Sequence, residues 1–223
     1  MKLDTKLTIL TSVFTGGLIA ANMLGSKLTT LFGVAVSVGI FALPLTFLIT
    51  DAVGEVLGRK KSMSIVYSAF IAQVLVLLLM VVAIKMPPAS RYQINNEFVT
   101  VFQTSIRMTV ASLIAYLVSQ LHDVWAFDMW KKKLNGKYLW LRNNASTFVS
   151  QAIDTLLFMF IAFYGISDKF TVSFILQLSV TYWLFKIAFA AMDTPFVYLL
   201  VLWLRKSTKQ EIALEKKLNK EAR

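Results

Sequence analysis

Three ionisable residues lie deep inside apolar runs of this chain: Arg107, Asp154 and Lys186. A charge within a membrane helix is expensive and by default marks a pathway or a binding site. The acid sits in the stretch Trp140–Phe158, WLRNNASTFVSQAIDTLLF, which opens basic and amide-rich and turns apolar without a Gly or Pro break. On a helix Thr147, Gln151, Asp154 and Phe158 fall at i, i+4, i+7 and i+11, so they share one face. One acid and two bases at similar depth are expected to converge, because each alone is costly. Two readings stand for them. One is a buried ion pair, Asp154–Lys186 or Asp154–Arg107, that only fixes helix packing. The other is a polar site for a ligand. Asn22, Gln103 and Gln151 would add amide donors and acceptors suited to a flat heterocycle. Tyr116, Phe158 and Trp183 offer a stacking face, although aromatics at helical spacing are more often plain packing.

A second group of carboxylates, Asp51, Glu55, Asp123 and Asp193, falls at helix ends. Asp51 and Glu55 are four residues apart and face the same way. Paired with Arg59, Lys60 or Arg142 they would form a latch that opens during transport; as solvated surface pairs they would contribute little. Lys27 closes the far end of the first apolar run. The single histidine, His122, makes no metal site and reads as an interfacial residue. There is no cysteine, so no disulfide or Cys-based zinc site arises. No nucleophile elbow, phosphate-binding Gly-rich loop or HExxH is present. Neither an enzyme nor a cofactor is expected.

The elements that must position these residues are membrane helices. The 223 residues are 57% hydrophobic and 16% charged, and the apolar residues come in long runs. The fold class is therefore all-α, a polytopic membrane protein of one domain over residues 1–223. Six spans are predicted, at about 7–24, 33–53, 64–85, 98–121, 145–166 and 173–204, followed by a basic tail at 205–223. Thr15, Gly16, Gly17, Ala20 and Ala21 give the first span a small-residue surface. Pro44 is expected to kink the second. The third is the most uniformly apolar. Asp193-Thr194-Pro195 is the expected break in the long sixth span. The tail, with Ile212, Leu214 and Leu218 among its charges, suits a short amphipathic helix. No leader peptide is expected, because the first apolar run is too long and lacks a cleavage site.

Net charge is +11. Nucleic acid is not its expected partner, because the charge lies in loops and in the tail. Six spans put both termini on one side, and seventeen of the basic residues fall on that side against four on the other. Both termini are therefore predicted cytoplasmic. At 1.5 Å per residue Asp154 lies roughly 14 Å below its end of the fifth span, Arg107 roughly 14 Å and Lys186 roughly 20 Å below theirs. All three fall in the middle third of the bilayer.

A family resemblance enters on these residues. Asn22–Lys27, then Thr50-Asp51 with Glu55 and Gly58-Arg59-Lys60, resembles the first half of the queuosine precursor transporter family, also called the VUT family. Gln120-x-x-Asp123-Val124-x-x-Phe127, Trp140-Leu141-Arg142-Asn143-Asn144-x-Ser146-Thr147, Gln151-x-x-Asp154-Thr155 and Phe160-Ile161-Ala162-Phe163 look like its second half, with Lys186 and Asp193-Thr194-Pro195. The resemblance covers nearly all of residues 15–205. It implies a six-helix bundle like the substrate-binding subunits of energy-coupling-factor vitamin transporters, in the cell (inner) membrane. It also implies import of 7-cyano-7-deazaguanine or 7-aminomethyl-7-deazaguanine for queuosine salvage. Asp154 would accept the donor edge of such a planar ligand in bidentate fashion, with Gln151 and Asn22 beside it. Arg107 and Lys186 would bind a carbonyl or nitrile acceptor, or neutralise Asp154 between cycles. The alternatives are a substrate-binding subunit of an ATP-driven importer, a carrier of another purine-like or vitamin-like molecule, and a membrane scaffold whose charges are structural. The expected partners are a small deazapurine, the lipid membrane and, for a carrier working as a pair, a second copy of the chain.

Overall fold

A computed structural model describes residues 2–31, 33–134 and 139–221. Six α-helices carry the chain: α1 (Leu3–Leu24), α2 (Leu43–Leu57), α3 (Arg59–Lys85), α4 (Asn95–Lys133), α5 (Leu139–Phe163) and α6 (Val172–Glu221). Between α1 and α2 lie two strands, β1 (Leu28–Leu31) and β2 (Val34–Ser37), and a short 3-10 turn, Val38–Ala42. Among the described residues, four helical segments are long and apolar enough to cross a membrane: Leu3–Leu24, Val38–Leu57, Lys60–Lys85 and Asn95–Ser119. Two shorter apolar stretches, Phe148–Phe163 and Val172–Ala188, correspond to the predicted fifth and sixth spans. The protein is an α-helical membrane protein with one small hairpin.

That hairpin corrects the predicted second span. Residues 33–42 are not α-helical, and α2 begins only at Leu43. The strands pair antiparallel, from Leu28 opposite Ser37 to Leu31 opposite Val34. Two residues are left for the turn, and Gly33 takes a φ of +81° there, the left-handed conformation that such turns demand. Thr29, Thr30, Val34 and Val36 supply the β-branched residues that favour strands. Pro44 falls in the first turn of α2, where a missing N–H costs nothing. It starts the helix and does not kink it.

Two other boundaries differ. The predicted polar connection at 122–142 is largely helical, since α4 runs to Lys133 and α5 starts at Leu139. Its Lys, Trp and Ala residues are compatible with helix as far as Lys133. The expected break at Asp193-Thr194-Pro195 is absent, because α6 continues through Pro195. A proline removes one backbone bond, a loss that a packed membrane helix tolerates. At 50 residues, α6 is about 75 Å long, well beyond a hydrocarbon core of about 30 Å.

The chain forms two compact units. The first comprises Met1–Ala21, Gly39–Leu79 and Lys186–Arg223. Its core joins Leu7, Leu10 and Phe14 of α1, Ile49, Ala52 and Val53 of α2, Ile65 and Ala69 of α3, and Val201 and Leu204 of α6. On each helix these residues recur at three- or four-residue spacing, the apolar stripe of a packed helix. Lys6 is buried in this unit. Its ammonium donates to the Trp203 carbonyl and lies 4.2 Å from the centre of the Trp203 ring. Ser62 Oγ donates to the Thr50 carbonyl at 3.0 Å, linking α3 to α2.

The second unit comprises Asn22–Val38 and Met80–Phe185. Here α4 and α5 run antiparallel, as contacts at both ends require. Arg107 of α4 reaches the last turn of α5, and His122 Nδ1 lies 2.9 Å from Ser150 Oγ. The Arg107 guanidinium donates to the Ile161 carbonyl at 2.7 Å and to the Tyr164 carbonyl. These are among the carbonyls a helix end leaves without intrahelical partners, and a cation there also complements the helix dipole. Gly165, at a φ of +75°, turns the chain out of the helix. The hairpin is held by Tyr182 of α6. The Ser37 N–H donates to the Tyr182 hydroxyl at 2.8 Å, and that hydroxyl donates to the Ser37 carbonyl at 3.1 Å. Ser37 Oγ donates to the Gly25 carbonyl at 2.8 Å.

Two substitutions test these anchors. Tyr182→Phe leaves a buried N–H and C=O unmatched and is expected to cost at least about 2 kcal/mol, read as a lower unfolding midpoint of the purified protein in detergent. Unchanged stability would mean that Tyr182 does not hold the strand. Arg107→Lys keeps the charge but loses the planar fork, with an expected loss of about 1–2 kcal/mol and faster amide exchange in the last turn of α5.

Candidate functional site

The second unit holds most of the residues singled out above. Gln151 and Asp154 lie on α5 one turn apart and so on neighbouring positions of its surface. The two α4–α5 contacts fix the register: residue 107 meets residue 161 and residue 122 meets residue 150. Interpolation places Tyr116 at the level of Asp154. Tyr116 and Asp154 are each half-buried. Gln151 Oε1 is sealed from solvent with no hydrogen-bond partner among the described residues. Its main-chain carbonyl accepts from Thr155 Oγ1 at 2.8 Å, so the local helix itself is satisfied.

Asn22 lies in the last turn of α1 and is 5% exposed. Its Nδ2 also has no hydrogen-bond partner among the described residues. Ser105 Oγ of α4 reaches the neighbouring Met23 carbonyl at 3.3 Å, which puts Asn22 near the level of Arg107. Trp183 of α6 carries a third such atom, Nε1, and its ring centre is 4.4 Å from that of Phe148 on α5. Three buried unpaired polar atoms cost together about 3–9 kcal/mol, comparable with the whole stability of an ordinary domain. Packing gives no return for that cost, whereas a polar ligand or water in the site does.

The expected convergence of charges takes a different form. The Arg107 guanidinium is bound to carbonyls seven and ten residues beyond Asp154, roughly 10–15 Å along α5. It therefore does not pair with Asp154; it fixes the helix that carries Asp154. Lys186 is half-buried on α6, three residues beyond Trp183, and belongs to the first unit. Lys27 and Gln103 are exposed. Lys27 is nevertheless tied to the hairpin, since its carbonyl accepts from the Val38 N–H at 2.9 Å.

Of the helix-end carboxylates, Asp51 and Glu55 are exposed on α2. Glu55 is paired at 2.8 Å with Arg205 of α6, a partner not among the three anticipated. Both side chains are more than half exposed, so the pair contributes about 0–1 kcal/mol. The side chains of Asp123 and Asp193 lie outside the described residues, as do those of Arg59, Arg142 and Thr147.

Sequence reasoning missed Tyr182 and His122 as structural partners. Tyr182 is one more aromatic in an apolar run, and its partners are main-chain atoms 145 residues away. The His122–Ser150 contact joins residues 28 apart; a signal was present in the polar pair facing each other across an antiparallel hairpin of helices.

The family model described as "Putative vitamin uptake transporter" matches residues 37–200. A protein named "Probable queuosine precursor transporter" from Bacillus subtilis (strain 168) is 28% identical over 181 residues, 81% of this chain and 78% of the relative. The "Queuosine precursor transporter" of Escherichia coli (strain K12) is 26% identical over 168 residues, 75% of this chain and 73% of the relative. A third relative, "Probable queuosine precursor transporter" of Haemophilus influenzae, is 29% identical over 150 residues, covering 67% of this chain and 61% of the relative. No solved structure matches the chain. The match over residues 37–200 takes in Gln151, Asp154 and Trp183 and leaves Asn22 outside. On that match, and on the residues that carry the resemblance, the chain belongs to the VUT family of vitamin uptake transporters.

Proposed function

We propose that this chain is a membrane transporter that imports planar, guanine-like precursors of queuosine, 7-cyano-7-deazaguanine or 7-aminomethyl-7-deazaguanine. The observation that carries the reading is the buried amide of Gln151, one turn from Asp154, whose Oε1 has no hydrogen-bond partner among the described residues. Relatives named for queuosine precursors support the substrate class. In this reading Asp154 and Gln151 accept the adjacent donors of the ring edge, while Asn22, near the level of Arg107 and so roughly 10–15 Å further along α5, stands outside the inner set. Arg107 acts through α5 and not on the ligand. Lys27 and Gln103, being exposed, stand outside the inner set. Six spans cross the membrane, with both termini in the cytoplasm. Glu55 and Arg205 form a cheap inner latch, with Asp51, Asp123 and Asp193 as further carboxylates of that face.

Asp154→Asn turns one acceptor oxygen into a donor aimed at ligand donors. Uptake of labelled 7-cyano-7-deazaguanine into cells lacking their own precursor synthesis is expected to fall at least about tenfold. Unchanged uptake would remove Asp154 from the site. Purified protein in liposomes is expected to carry the same compound without any partner; binding without transport would instead identify a subunit that needs an ATP-driven module. Reporter fusions at both ends are expected to be active only in their cytoplasmic form, and an external signal at either end would overturn the topology.

A further inference from the structure

The indole of Trp183 holds a donor that neither the packing nor the scheme above has used. Its Nε1 is buried and has no hydrogen-bond partner among the described residues. An indole N–H can only donate, so the missing partner is an acceptor. Trp183 is located against α5 by its contact with Phe148. From Phe148 a helix ridge of three-residue steps leads to Gln151 and then to Asp154, each roughly 4.5 Å further along the axis. Gln151 offers a buried acceptor oxygen. Asp154 offers a carboxylate with about four lone-pair sites. Along this ridge the protein therefore presents a donor, an acceptor and an acceptor.

We infer that this row reads one edge of the substrate, and that Trp183 is its specificity-determining donor. The complementary edge is an acceptor followed by two donors: a ring carbonyl, the ring N–H beside it, and an exocyclic amino group. That is the edge of a 2-amino lactam heterocycle. Trp183 donates to the carbonyl, Gln151 accepts from the ring N–H, and Asp154 accepts from the amino group. A heterocycle with an amino group in place of the carbonyl sets two donors against each other at Trp183 and is excluded. Buried polar groups left unmatched give strong discrimination of this kind. The inference rests on the import reading and adds to it the residue that selects the base.

The test is equilibrium binding to the purified full-length protein in detergent, with two probes. One is 7-cyano-7-deazaguanine; the other is the same ring system lacking the carbonyl oxygen. The wild type is expected to bind the first at least about tenfold more tightly. Trp183→Phe keeps an aromatic ring against Phe148 and removes only the N–H. It is expected to lose about tenfold or more for the carbonyl probe and to bind the other probe as the wild type does, which also reports that it is folded. A wild type that does not distinguish the probes overturns the role of Trp183, whatever the variant does. So does a variant that binds both probes as the wild type does, or one that loses affinity for both equally, which is a packing effect. If the wild type binds neither probe, the import reading itself fails, an outcome distinct from the other three.

Discussion

A strand in an apolar, membrane-embedded chain has to match every backbone N–H and C=O with protein, because lipid offers no partner. The hydroxyl of Tyr182 meets that requirement for Ser37, accepting from its N–H and donating to its C=O. One side-chain oxygen thus does what a neighbouring strand would do. The consequence reaches the candidate site, since Trp183 follows Tyr182 on α6. Fixing Tyr182 against the hairpin fixes the angle at which Trp183 leaves the helix, and so the position of its indole against Phe148.

Two cations of this protein, Lys6 and Arg107, are used on main-chain carbonyls. Arg107 takes those of Ile161 and Tyr164, and Lys6 takes that of Trp203. A charged donor on a carbonyl contributes about 1.5–3 kcal/mol, more than an exposed ion pair such as Glu55–Arg205. The Arg107 bonds hold the end of α5, on which Gln151 and Asp154 are carried, while Gln151 Oε1 and Trp183 Nε1 have no hydrogen-bond partner among the described residues. A site preorganised in this way loses little ordering entropy when a ligand arrives.

How far the sequence reaches follows from the kind of partner each residue has. The helices α1, α3 and α4 were legible because apolar runs of span length have few other uses. Gln151 and Asp154 were legible because a carboxylate in an apolar run stands out, and helical spacing assigns its neighbours. The hairpin at Leu28–Ser37 was not, because hydropathy sums over a window and ignores period. The β-branched alternation and Gly33 were the signals a length count passed over. Arg107 was seen but misassigned, since its partners are carbonyls, which every residue has and no sequence pattern marks. Tyr182 was lost for the same reason. Pro195 misled in the other direction, because the rule that proline ends a helix weakens where membrane packing supports the turn.

In the proposed scheme the carboxylate of Asp154 brings recognition and transport together. A charge at such a depth costs about 2.5–3.5 kcal/mol on an insertion scale. Charge-assisted hydrogen bonds from a donor-rich ring edge return about 1.5–3 kcal/mol each, on the scale of that cost. A neutral substrate with two adjacent donors therefore completes the site electrostatically as well as sterically. A ligand with one donor covers only part of the cost, and one that presents acceptors covers none. Selection for a donor edge thus follows from burying the acid at all, before any detail of shape is considered. The empty carrier has to meet the same charge by another route, such as water. The loaded and empty states then differ by a few kcal/mol, the scale on which a carrier can be driven between two conformations by its substrate alone.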